Sequence, residues 1–230
     1  MDIPLLIHVG GSVVSFWVGL FLGNRTAYHP STRWLRLTFV LTGCYFLLRA
    51  IESFPDHHAQ LLAQIQLALA LVALACWYGW VIGVRGITRA ERRARWISIA
   101  LAVGCALIAA LTLVPSVIII GGYLAVTLAS VWFRTWRLYR RETILPAQRA
   151  AGTLLVATTI ICLSVVTLAA VAWLQSTPSE IAGMLVQAGE GMLCGGIALL
   201  GYGALIYTRR HAGRNSGRDY LVAALPAWVL

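Results

Sequence analysis

Seven apolar stretches dominate the chain, at about residues 3–22, 35–54, 60–84, 97–114, 117–138, 151–174 and 181–208. Each is near the roughly 20 residues that a helix needs to cross the hydrocarbon of a bilayer. Hydrocarbon offers no partner to a peptide N–H or C=O, so such a stretch must close its hydrogen bonds within itself as a helix. The intervals between the stretches are too short to hold a second domain. Of the 230 residues, 60% are hydrophobic and 11% charged, against about one-quarter charged in a soluble domain. The expected fold is all-α: an integral membrane protein with seven transmembrane helices over residues 1–210 and a cytoplasmic tail over 211–230. The tail opens with Gly213, Asn215, Ser216 and Gly217 and turns apolar from Tyr220 to Leu230, which suits the membrane surface or a docked partner.

The net charge is +10, and every one of the 18 Lys+Arg residues is an arginine. Without lysine the chain cannot hold a retinal Schiff base, and no other cofactor is expected. Arg25, Arg33 and Arg36 lie between the first two stretches, and Arg85, Arg89, Arg92, Arg93 and Arg95 between the third and fourth. Arg134, Arg137, Arg140, Arg141 and Arg149 flank the fifth-to-sixth connection, and Arg209, Arg210, Arg214 and Arg218 follow the seventh stretch. The intervening connections hold no basic residue. The positive-inside rule then puts the N-terminus outside and the C-terminus inside, with a bacterial plasma (inner) membrane as the expected location. A nucleic-acid binder collects its basic residues on a soluble face. Here they mark helix ends, so nucleic acid is not expected as a partner, and anionic lipids at the arginine-rich loops are. The run Arg85–Trp96 reads as a solvated loop. The first stretch follows Met1 and Asp2 without a basic n-region, so it reads as a retained helix rather than a signal peptide.

Gly11, Ser15, Gly19 and Gly23 recur every four residues in the first stretch, a small-residue face that lets another backbone come close. Packing within the chain is the expected use, and a homodimer interface the alternative. Gly191 and Gly195 give the seventh stretch a shorter version, and Val114, Pro115 and Ser116 join the fourth and fifth as a tight hairpin. Gly10-Gly11 and Gly121-Gly122, with Tyr78-Gly79 and Tyr202-Gly203, suggest a three-plus-one-plus-three duplication. Cys44, Cys76, Cys105, Cys162 and Cys194 all fall inside stretches without CxxC spacing, which favours small packing residues over disulfides or zinc.

A charge in hydrocarbon carries an insertion penalty of about 2.5–3.5 kcal/mol, so polar residues inside these stretches are the candidate site. Thr38, Thr42, Tyr45, Arg49, Glu52, Ser53 and Asp56 form one polar stripe along helix two at helical spacing. Glu190 is the acid deepest in a stretch, about 15 Å from the outer end of helix seven, and Arg49 and His8 lie about 9 and 8 Å deep on helices two and one. Gln64, Gln66 and Gln187 add amides to the same half. The expected ligand- or substrate-binding cluster is Arg49, Glu190, His8, Glu52, Gln64, Gln187 and Tyr45. Asp56, His57 and His58 stand too close together on a short loop to share one metal ion, so no metal site is expected. A membrane haem needs two axial histidines on facing helices, and only His8 is inside one. No nucleophile-base-carboxylate set, catalytic aspartate pair or phosphate loop appears, which argues against an enzyme.

In architecture the plan resembles the compact sugar and vitamin carriers built as three plus one plus three helices, although the Pro-Gln motif of one such group is missing. The leading functional reading is a small transporter or channel for a polar or charged solute, with the helix-two stripe along its path. A seven-helix sensor or receptor binding a ligand in its outer half is the second. A non-catalytic subunit of a larger membrane complex is the third.

Overall fold

The computed structural model describes residues 3–23, 32–52, 59–83, 89–110, 116–143, 145–174 and 180–211. These form seven helices, α1 (Ile3–Gly23), α2 (Thr32–Glu52), α3 (Ala59–Gly83), α4 (Arg89–Ala110), α5 (Ser116–Arg141), α6 (Leu145–Leu174) and α7 (Glu180–His211), and no strand among the described residues. Five of them, α1, α2, α3, α6 and α7, are long and apolar enough to cross a membrane, which marks a multi-pass membrane protein. The other two have shorter apolar lengths for a visible reason. Helix α4 opens with Arg89, Glu91, Arg92, Arg93 and Arg95, and α5 closes with Arg134, Arg137, Arg140 and Arg141. Arginines in the last turn of α5 also face the negative end of its dipole.

Each helix packs on the next in sequence, α7 closes the ring onto α1, and α3 reaches across to α5. Apolar side chains line the rim: Ile3, Leu6, Val13 and Leu20 on α1, Val126 on α5, Val156, Leu163 and Val166 on α6, and Ile181 and Met184 on α7 are exposed. Such surface is stable against lipid tails and not against water. Much of the interior is apolar, with Val18, Leu22, Leu35, Phe39, Phe46, Trp77, Trp80, Val131, Leu154 and Leu200 in one buried cluster and Leu71, Ala75, Ala102 and Cys105 in a smaller one between α3 and α4.

Small residues set the two closest seams. On α1, a Cβ at Gly11 would stand 2.9 Å from the Phe46 ring and one at Gly19 3.1 Å from Val40, so this face packs on α2 within the chain. On α7 the seam is not the expected Gly191 and Gly195, where a Cβ meets one atom at 3.9 Å or open space. It is Gly189, Gly196 and Gly203, seven residues apart, where a Cβ would fall 2.9, 2.7 and 3.0 Å from Leu168, Ile161 and Leu154 of α6. Spacing by seven keeps one face of a helix against its neighbour over several turns.

One further expectation changes. The run Arg85–Trp96 is not a solvated loop throughout: α4 is helical from Arg89, and Arg95 is buried. Of the glycine pairs matched between the two halves, Gly10, Gly121 and Gly122 are exposed with nothing within 4 Å, and Gly11 presses on Phe46. All five cysteines are free, and Cys76 and Cys105 are buried packing residues. Ser53, Asp56, His57, His58, the fourth-to-fifth connection at 111–115 and the tail from 212 lie outside the described residues.

Candidate charged site across four helices

The polar stripe of α2 divides into two halves with different chemistry. Thr38 and Thr42 are buried and donate their hydroxyls to the carbonyls of Trp34 and Thr38 at 3.0 and 2.8 Å, four residues back. This local bond satisfies a threonine in an apolar setting without any outside partner. Nearer the end of the helix, Arg49 leaves the helix surface to meet groups from its neighbours.

Arg49 donates from Nε and Nη2 to Oε1 of Glu190 on α7, at 3.0 and 2.5 Å, so one edge of the guanidinium is spent on a single carboxylate oxygen. Its Nη1 donates to Oε2 of Glu52 at 2.7 Å, one turn along α2. The same Glu52 oxygen accepts from Nε2 of Gln66 on α3 at 3.0 Å. The second oxygen of Glu190 stands 2.8 Å from Nε2 of His8 on α1. A continuous chain thus runs His8, Glu190, Arg49, Glu52, Gln66 and joins four helices near the end where α1 begins.

Burial is graded along it. Glu190 and His8 are 3% and 5% exposed, whereas the Arg49 and Glu52 side chains are 28% and 27% exposed. Tyr45, half-buried on the same face of α2, sits beside the Arg49 guanidinium and packs edge-on against Phe46. Two carboxylates face one guanidinium, so with an uncharged imidazole the cluster holds one excess negative charge. Nδ1 of His8 is buried and meets no hydrogen-bonding partner among the described residues.

Of the residues expected from sequence, His8, Tyr45, Arg49, Glu52 and Glu190 are brought together. Gln187 is not part of this chain of bonds, and Gln64 is half-buried on α3 with a partner of its own. The α3 member is Gln66: two residues turn a helix by about 200°, so Gln64 stands on nearly the opposite face. Gln187 is exposed. Among the described residues no group of three or more His, Cys, Asp or Glu side chains could hold a metal ion. No protein-family model, curated protein or solved structure matches the chain significantly.

Proposed function

We propose that the chain crosses the membrane seven times, with its N-terminus outside and its C-terminus inside, and serves as a sensor or receptor module that takes a small cationic solute in its outer half. The observation that carries this reading is the graded network from His8 to Gln66, in which two carboxylates face one guanidinium, together with the unpartnered Nδ1 of His8. An ammonium group matches both, since it neutralises the second carboxylate and donates to an imidazole nitrogen. The inner half of the α2 stripe supports reception over passage. Its threonines are buried and back-bonded, and Leu35, Phe39 and Phe46 of the same helix belong to the buried apolar cluster.

The carrier reading, which leads from sequence alone, retains one favourable feature. Glu190 lies about 15 Å from the start of α7, near the midplane depth at which carriers hold substrate and coupling ions. To separate the two, the full chain is reconstituted in liposomes and challenged with amines, sugars, carboxylates and nucleosides, with thermal stability and uptake read together. An amine is expected to raise the Tm of the wild type without uptake, and Glu52→Gln and Glu190→Gln are expected to lose that rise. Uptake would transfer the assignment to a carrier. Stabilisation by carboxylates alone, or by nothing in the panel, would overturn the cationic site.

A further inference from the structure

At the far end of the bundle a second guanidinium stands in a different position. Arg95, in the second turn of α4, is 5% exposed, and both its Nε and its Nη2 are buried without a partner among the described residues. Trp34, at the start of α2, is 15 residues from Arg49, about 22 Å along the helix, so the two arginines occupy opposite ends. Nε and Nη2 form one edge of the guanidinium fork, the edge that presents two parallel N–H groups to an oxyanion. In Arg49 that same edge is filled by Glu190. In Arg95 nothing in the described protein fills it.

The edge is also held still. The Arg95 guanidinium carbon lies 5.0 Å over the Trp34 ring, and Trp34 is braced edge-to-face by Trp96 at 5.9 Å. The stem crosses Gly79 of α3, where a Cβ would stand 3.2 Å from Cγ and 3.3 Å from Cδ of Arg95. Glu91 of the same helix is near enough to attract the Arg95 charge, and its carboxylate also stands 3.5 Å from Arg134 of α5, while the Nε–Nη2 edge of Arg95 stays without a hydrogen bond. Burying a cation without an anion is costly, and a fixed planar fork is well suited to a phosphate. Basic recesses between helices at a membrane surface are where headgroup phosphates are held.

We propose that Arg95, seated between Trp34 and Gly79, is a binding site for a phosphate oxyanion, supplied by an anionic lipid headgroup or by free phosphate. The full chain is placed in nanodiscs of phosphatidylcholine alone, of phosphatidylcholine with phosphatidylglycerol, or of phosphatidylcholine with added inorganic phosphate. Tm and lipid retention in native mass spectra are measured. Phosphatidylglycerol is expected to raise the Tm and to remain bound to the wild type; a rise with inorganic phosphate but not with phosphatidylglycerol would assign the free anion. Arg95→Met is expected to lose the response, Arg95→Lys to retain a weakened one, and the exposed Arg93→Met to keep it in full. In phosphatidylcholine alone, Arg95→Met should be at least as stable as the wild type, because the unneutralised charge is gone. If Arg95→Met does not fold, Gly79→Ala, whose added methyl displaces the stem, is expected to weaken the response. Equal responses in the wild type and the Arg95 variants, or no response of the wild type to either phosphate source, would overturn the proposal.

Discussion

Glu190 shows how a single side chain can bind two others and reach a third through one of them. Its two oxygens take His8 and Arg49 separately, and Arg49 then reaches Glu52. Removing one partner of a buried pair strands the other charge, at a cost of about 3–5 kcal/mol, and the partial exposure of Arg49 places this pair near the lower figure. Arg49→Met and Glu190→Gln are each expected to destabilise the protein by about 3 kcal/mol, and the double variant by less than the sum. Additive losses in that cycle, measured by reversible unfolding in detergent, would show that the two do not interact. His8, Arg49 and Glu190 were legible in the sequence because charged or imidazole groups are scarce inside apolar stretches and must find one another. Gln66 was not separable from Gln64, since depth along a helix follows from counting residues but the direction a face points depends on the neighbour packed against it. Arg95 was hidden for a related reason: its long stem lies over Gly79 and Trp34, and neither contact leaves a mark in the local sequence of α4.

Among the elements, α7 carries the sharpest contrast. Gly195 and Gly196 are adjacent, yet a Cβ at Gly195 meets nothing within 4 Å and one at Gly196 would stand 2.7 Å from Ile161 and 3.4 Å from its backbone nitrogen. Gly196→Ala is therefore expected to destabilise by about 1–3 kcal/mol through forced separation of α6 and α7. Gly195→Ala should be neutral or stabilising by up to about 1 kcal/mol, because alanine is the better helix former and no neighbour is disturbed. Equal effects of the two substitutions on Tm would show that the seam does not govern helix packing. The existence of all seven helices followed from apolar length, but α4 begins at Arg89 and α6 at Leu145, before the apolar stretches expected from 97 and 151. The seam did not, because glycines are frequent in α7 and only the contact with α6 distinguishes those that matter.

For the whole molecule, the arginine distribution carries an orientation that can be examined directly. Single cysteines in a cysteine-free background are expected to react with an impermeant thiol reagent from outside at positions 57 and 178, and not at 91 and 215. The opposite pattern would reverse the proposed topology. The number of helices was readable from the apolar stretches, whereas their packing partners were not: α3 reaches α5 as well as its neighbours in the chain. Where α7 touches α6 most closely, at Gly196, it also divides unequally. About 9 Å of helix separates that point from Glu190, and about 22 Å separates it from His211. A rigid rod resting on such a point is a lever with arms in the ratio of about two and a half, so any tilt that moves Glu190 sideways carries the far end about two and a half times as far, in the opposite direction.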